Sequence, residues 1–444
     1  MSLLSDRLKN AETQKQVVHE RVAQNMVRPT ESEAEIVRRL AKRMASEFRD
    51  DLSAHGLTES VKERIRSAIY EAAKLETGDY EQQVRIAQLA CNYVVGLGPL
   101  EGFMADPEIT EIIVQRFDNI CVERAGVMYH VNASFSDEQQ LQSIINRIVQ
   151  PVGRQINLST PIVDARLSDG SRVNATIPPV TPDGATLSIR KFSNHALTGE
   201  HYLSLGSLSE NMLEFLSAAV KGKVSIIVSG GTSTGKTTLL NMLSSYIPEN
   251  ELIVTIEDSC ELQLRQANVR RMETRQSAAE GLMPITTQTL VKNALRMRPD
   301  RIIVGEIRDG TVVDMMSAMS TGHEGSMSTV HANNPGNLVN SRLPILYGMN
   351  DYVKFSVDTQ SMQVAEAIQL IVHISRLQDG RRKITHITEV TGLTEKGRVK
   401  LTDIFRYDSQ TDAFIATGYV PEKIVDRMAT YGVHLDSKIF AKEA

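Results

Sequence analysis

The chain has 444 residues, 41% of them hydrophobic and 23% charged, with no tryptophan, enough for two or three domains with cores of their own. No apolar run approaches the roughly 18–20 residues that span a bilayer, and "MSLLSDRLKNAETQKQ" at the start lacks the apolar core of a signal peptide. A formal net charge of −5 gives no global basic field for nucleic acid, and three scattered cysteines, Cys91, Cys121 and Cys260, have no ligand spacing and read as reduced, inert thiols.

The first part of the chain, residues 1–78, reads as helical. In "SEAEIVRRLAKRMASEF" the residues Ile36, Val37, Leu40, Ala41, Met44 and Phe48 share one face, with Ser32 and Glu35 as the expected capping box. "SVKERIRSAIYEAAKL" repeats the device: Ser60 and Glu63 as the box, Val61, Ile65, Ala68, Ile69 and Ala72 as the stripe. Both stripes are packing surfaces by this reading.

Residues 79–195 change texture. "GLGPLEGF" stops a helix, and "ITEIIVQRFDNICVERAGVMYHV" alternates in short strand-like runs around Asp118-Asn119 and Ala125-Gly126. "DEQQLQSIINRIVQPVG" returns to helical spacing and ends at Pro151 and Gly153; strands flank a turn at Asp169-Gly170, and "TLSIRKF" adds another. This is an α+β module. A polar stretch, with residues 196–207 at its centre, reads as a linker.

From residue 208 to 444 the pattern is α/β. "KVSIIVSG", "ELIVTIED", "DRIIVGE" and "GSMSTVHA" are short β-branched runs separated by helical stretches, the signature of buried parallel strands. Between the first of them and "KTTLLNMLSSYI" lies "GGTSTGKT", which fits the phosphate-binding loop G-x-x-x-x-G-K-[ST] between a strand and a helix. Residues Gly230, Gly231, Thr232, Ser233, Thr234, Gly235, Lys236, Thr237 and Thr238 thus form a nucleotide-binding segment, its backbone N–H groups and helix N-terminus addressing phosphates. Lys236 is placed to reach the β- and γ-phosphates, and the Thr237 hydroxyl to reach Mg²⁺. ATP and Mg²⁺ are the expected ligands.

Two acids, Glu257 and Asp258, end the strand "TIED", where parallel sheets face their ligands. One acid there can orient or deprotonate an attacking water; two solvated acids opening a loop would look the same. "PDRIIVGEIRDG" raises a difficulty, because Gly305 stands where phosphate-loop ATPases usually carry the magnesium aspartate, and the first acid is Glu306.

In order along the chain, "GGTSTGKT", "TIEDSCELQL", "RPDRIIVGEIRDG" and "TGHEGSMSTVHANNP" resemble the Walker A, Asp box, Walker B and His box of the secretion (traffic) ATPases of type II secretion, type IV pili and type IV secretion. Upstream, "GLGPLEGF", "RIVQPVGRQINLSTPIVDARLSDGSRVNATIPP" and "TLSIRKF" look like the N-terminal domain of the CpaF-type ATPases of Tad pili, over roughly residues 60 to 420 in all. The resemblance implies a C-terminal RecA-like ATPase domain preceded by an α+β N-terminal domain that folds over the nucleotide. It makes Gly305 the family's ordinary residue, with Glu306 holding Mg²⁺ through water beside the direct ligand Thr237. It implies Glu257 as general base, Asp258 as a supporting acid, and His323 and His331 as His-box residues near the γ-phosphate. Ordinary structural burial is the other reading of either histidine, and zinc the outside one, since no third ligand is spaced to join them.

Charge that builds on a transferred phosphate calls for an arginine from another domain or subunit. Of Arg154, Arg166, Arg172 and Arg190, the resemblance favours Arg172 in "DGSRVNA" and Arg190 in "SIRKF"; Arg275 and Arg298 are further choices, and a solvated surface role is the alternative for each. The family further implies a ring of six, an inner-membrane platform protein as partner, and a cytoplasmic protein held peripherally on the inner membrane, powering a Tad-type pilus. A conjugative type IV secretion ATPase shares the same chemistry. A nucleic-acid motor needs basic-aromatic runs, which eleven tyrosines and ten phenylalanines, scattered, do not form, so no stable nucleic-acid partner is expected. A nucleotide-gated scaffold conflicts with intact Lys236, Thr237, Glu257 and Glu306. Partner specificity is expected in the N-terminal helices, testable by pull-down after deleting residues 1 to 56.

Overall fold

A computed structural model describes residues 30–53, 58–124, 126–192, 198–275 and 283–442. The chain divides into two compact units, residues 1–193 and 194–444. Part of the expected linker, and the start of the chain with its leader reading, lie outside the described residues.

In the first unit, helices Glu31–Glu47, Glu59–Ala73 and Tyr80–Val94 bury their stripes against one another. Val37, Leu40, Met44, Ile65, Ile69, Ala72, Ile86, Ala90 and Val94 form one apolar cluster. The expected caps are displaced. The first helix starts two residues earlier, with Thr30 and Glu33 as a reciprocal capping box, and the second is capped by Thr58. Ser32 and Ser60 sit one residue inside their helices, because a threonine already stands at each true boundary and supplies the same side-chain oxygen.

Six antiparallel strands follow: β1 (Ile109–Arg116), β2 (Asn119–Arg124), β3 (Val127–Val131), β4 (Ile162–Arg166), β5 (Arg172–Thr176) and β6 (Thr186–Arg190). Their order is β3-β2-β1-β6-β5-β4. Helix Glu138–Val149 covers one face through Leu141, Ile144, Ile145 and Ile148 against Ile112, Val173, Leu187 and Ile189. Arg147 donates to Gly96 O (2.6 Å), tying this helix to the turn that ends the third helix.

The second unit is built on nine strands: β7 (Ile226–Gly230), β8 (Ile253–Glu257), β9 (Val269–Glu273), β10 (Arg301–Val304), β11 (Met327–His331), β12 (Leu370–Arg376), β13 (Arg382–Leu393), β14 (Val399–Asp408) and β15 (Ala413–Ala416). The order is β15-β14-β13-β12-β7-β11-β10-β8-β9, parallel from β12 through β9 and antiparallel from β12 outward to β15. The four strand-like runs expected to be parallel are so. They alternate between two cores: Ile226 and Val228 enter one, under helices Glu210–Lys221 and Lys236–Ser244, while Ile227 enters the other, under helix Val312–Ser320. Burial on both faces is why these strands read as continuous apolar runs.

The fold is therefore a RecA-like α/β unit preceded by an α+β unit with an N-terminal helical segment. No described helix is long and apolar enough to cross a membrane. Cys91 and Cys121 are buried, and burial pushes the Cys91 thiol up to about 11, which keeps it protonated and unreactive.

Candidate active site

Parallel strands deliver their C-terminal ends to one edge of a sheet, and here that edge gathers the chemistry. Register pairs Gly230 at the end of β7 with His331 at the end of β11, and Val304 at the end of β10 with Ile256 just before Glu257 on β8. The phosphate loop, Glu257, Asp258, Glu306 and His331 accordingly meet on one side.

The loop is shaped by steric demand. A Cβ on Gly230 would stand 2.3 Å from Ile374 O, so only glycine fits against β12 there. Ser233 (φ 58°) and Gly235 (φ 95°) take left-handed conformations that turn the backbone around the anion position. Lys236 and Thr237 open the helix that follows, and Lys236 Nζ donates to Gly231 O (2.7 Å) and to His331 Nδ1 (3.2 Å). Behind the loop, Ser229 and His373 share a buried 2.8 Å hydrogen bond. Desolvation, with His386 beside it, holds His373 down to about 4, so it is a neutral brace rather than a pH sensor.

Glu257 is 4% exposed. Its Oε2 accepts from the backbone N–H groups of Glu261 (2.7 Å) and Leu262 (3.0 Å), while Oε1 is buried without a hydrogen bond. Burial pushes its pKa up to about 7 against the pull of those two amides, a value suited to a base at neutral pH. Glu306 accepts from Arg308 Nη2 (2.7 Å) and lies 2.9 Å from His331 Nε2. That approach is close but poorly aligned, so Glu306 Oε1 is a second buried oxygen without a hydrogen bond. Burial and then the Lys236 ammonium hold the His331 pKa below its ordinary value, with Glu306 opposing, and a neutral ring accepting from Lys236 fits both contacts.

Two buried, unsatisfied carboxylate oxygens beside a phosphate loop fit a hydrated divalent cation and a reacting water. The residues that would hold Mg²⁺ are Thr237 and Glu306. Gly305 carries its own reason: a Cβ there would lie 3.1 Å from Glu257 Cγ. Any side chain at 305, an aspartate included, would push against Glu257. Gly305→Ala is expected to lower turnover about tenfold at unchanged nucleotide affinity, since a few tenths of an ångström at the base matter more than at the phosphates. Steady-state rates beside nucleotide titrations check this; an unchanged rate would sink it.

The family model described as type II/IV secretion system protein matches residues 94–438. The chain belongs to this family. A putative conjugal transfer protein of Mycobacterium tuberculosis is 31% identical over 321 residues, covering 71% of this chain and 90% of that relative. The type IV secretion system protein VirB11 of Bartonella quintana is 31% identical over 270 residues, covering 53% of this chain and 76% of its own. Among solved structures, the VirB11 ATPase from the Brucella suis type IV secretion system, in complex with sulphate, is 28% identical and covers 65% of this chain and 91% of that one, at a TM-score of 0.35.

Not every residue expected at the site of this secretion family member is there. His323 precedes β11, whereas His331 ends it, so a strand of roughly 16 Å separates them and puts His323 at the opposite edge of the sheet. His323 therefore joins neither the phosphate group nor a zinc pair; its carbonyl accepts from Ser326 Oγ (2.6 Å). Periodicity hid this, because eight residues spaced along a strand look adjacent only in a motif. Arg298 likewise precedes β10 at that far edge, while Arg275 follows β9 and donates to Met283 O (3.1 Å). Arg172 and Arg190 belong to the first unit, where they are direct cross-strand partners, with Arg166 paired to Arg172 and Glu111 to Arg190. They share the sheet face opposite the core.

Two residues of the site were not singled out in the sequence, although the first of them lies inside "RPDRIIVGEIRDG". Arg308 bridges Glu306 and Asp258, the latter by Nη1 to Oδ2 at 3.2 Å. Arg382, on the β12–β13 hairpin, packs beside Gly235, its Cδ 3.5 Å from where a Cβ would stand. The first lies two residues past Glu306 and was open to being noticed; the second needed the hairpin's register.

Proposed function

We propose that this chain is an Mg²⁺-dependent ATPase that drives a type II/IV-type secretion or pilus machine. The observation that carries it is the meeting of Lys236, a deeply buried Glu257 titrating near neutrality, and Glu306 at one sheet edge. Lys236 and the loop amides bind and orient the phosphates, Glu257 takes the proton of the attacking water, and Glu306 with Thr237 holds the metal side. A bound Mg²⁺ supplies neutralisation of charge developing on the phosphate oxygens. Arg172 and Arg190 are our choice for arginines that offset charge building on the transferred phosphate.

Within this reading, a ring of six working on an inner-membrane platform protein from the cytoplasmic face is the assembly we favour, and a Tad-type pilus its product. Motifs upstream of the ATPase unit support the pilus; the conjugal transfer and type IV secretion relatives support the alternative. Membrane partners separate the two: co-purification with pilus platform proteins or with conjugation components decides.

The test is Mg-ATPase turnover per subunit against protein concentration, with and without DNA. Turnover that rises with concentration and ignores DNA supports an assembling secretion motor. DNA-stimulated turnover would move the chain to the nucleic-acid motors, and absence of turnover at any concentration would leave only a nucleotide-gated scaffold.

A further inference from the structure

We propose that Arg308 is the counter-ion of the carboxylates on the metal side, holding Glu306 and Asp258 in the nucleotide-free site and opposing, through its charge, the metal that arrives with nucleotide. This rests on the nucleotide-site reading above.

Several of the charged groups that would address a phosphate or a cation are engaged with one another. Lys236 is drawn onto Gly231 O (2.7 Å) and His331 Nδ1 (3.2 Å), and His331 Nε2 lies 2.9 Å from Glu306 Oε1. Arg308 then spans the two acids, Nη2 on Glu306 Oε2 at 2.7 Å and Nη1 on Asp258 Oδ2 at 3.2 Å, while Thr274 Oγ1 donates to Asp258 Oδ1 (3.1 Å). A guanidinium is planar, permanently charged and forked, so one side chain bridges two carboxylates that would otherwise repel one another and offsets half of their charge.

Arg308 holds Glu306 Oε2, while Oε1, the buried oxygen without a hydrogen bond, is left for a hydrated cation, so guanidinium and cation compete for the charge of one carboxylate. A cation bound there meets a carboxylate whose charge Arg308 already offsets, while metal-free nucleotide, being an anion alone, gains from the guanidinium beside it. Arg308 thus favours metal-free nucleotide and opposes the metal, and it lowers the thermodynamic coupling between the two ligands. With Arg308 in place half of the acids' charge is offset when a metal arrives; without it they wait as bare anions. Arg308 acts through Glu306 and Asp258, so it is a positioning residue and not a catalytic one.

The test is the affinity of N-methylanthraniloyl-ADP, read by fluorescence, in excess Mg²⁺ and in EDTA, for the full chain. The ratio of the EDTA dissociation constant to the Mg²⁺ one measures the coupling. Arg308→Gln is expected to raise that ratio about fivefold, the size of a partly exposed ion pair, by weakening the EDTA binding and tightening the Mg²⁺ binding. Arg308→Lys, which keeps the charge, is expected to restore most of the wild-type ratio. An unchanged ratio in Arg308→Gln overturns the proposal, as does an Arg308→Lys indistinguishable from Arg308→Gln. The Arg308 side chain is 57% exposed, so neither change should unfold the unit, and Arg308→Ala repeats the measurement should the glutamine fail to express. Wild type that binds no probe in either buffer would instead sink the nucleotide reading itself.

Discussion

Glu257→Gln is expected to lower ATP turnover by about 10²–10⁴-fold, the span removed with a general base, while nucleotide still binds. Glutamine keeps the shape and can accept from the Glu261 and Leu262 amides through its oxygen, so the loop that these amides anchor should stay in place. What it lacks is the capacity to take a proton. In the wild type burial penalises the charge of the folded carboxyl and pushes its pKa up from the ordinary 4.5 to about 7. Turnover should accordingly fall as pH drops through about 7, where the base becomes protonated.

The same shift is a statement about stability, with its own sign. Between pH 4.5 and about 7 the folded chain holds a proton that the unfolded chain has lost, so the contribution is complete below pH 4.5 and gone above about 7. Glu257→Gln never ionises and escapes that loss. Its melting temperature should therefore gain on wild type as the buffer moves from pH 5 to pH 8. A variant that turns over normally would show the base is misassigned, with Glu306 or Asp258 next to be tested. A stability gap independent of pH would mean the carboxyl is not held protonated.

Glu251→Ala should be the costliest single change outside the site, destabilising the second unit by about 3–5 kcal/mol. Arg301, at the start of β10, is fully buried, and its Nε and Nη2 donate to the Glu251 carboxylate at 2.6 and 3.2 Å. Its Nη1 donates to Gly325 O at 3.3 Å. Without Glu251 the guanidinium keeps its charge in a place with no water. The reverse change, Arg301→Met, should cost less, because Glu251 is nearer the surface and has Lys223 Nζ 3.9 Å away. Replacing both by methionine should recover part of the loss, since the desolvation of two ions is then avoided. Chemical denaturation of the three variants checks the order. A double variant no better than Glu251→Ala would show that packing, not the stranded charge, sets the cost.

The relation between sequence and structure differs from one part of this protein to another. Segments whose physics is local were legible. The parallel strands announced themselves as β-branched runs because both their faces are buried, and the phosphate loop announced itself because its geometry demands glycines at fixed intervals before a helix. The helical stripes around Leu40 and Ile69 were legible for the same reason, although their caps fell on Thr30 and Thr58 instead of Ser32 and Ser60. A serine and a threonine offer the same oxygen, so only the backbone's actual turn distinguishes them.

Residues whose role depends on partners far along the chain were not legible. The antiparallel strands β13 to β15 and the edge strand β9 pair through backbone groups that carry no side-chain signature. Glu251 and Arg301 are 50 positions apart and look like ordinary surface charges until the sheet brings the starts of their segments together. His323 and His331 look like a pair until β11 is laid between them. By itself the sequence determined that a phosphate loop, two acidic strand ends and a glycine before Glu306 would exist, because each is a local requirement of backbone shape or charge. Only the tertiary structure decided that Glu257 is buried enough to titrate near neutrality, that Gly305 clears space for it, and that Arg308 holds the acids. Desolvation and close approach are properties of what surrounds a residue, and that is assembled from distant chain.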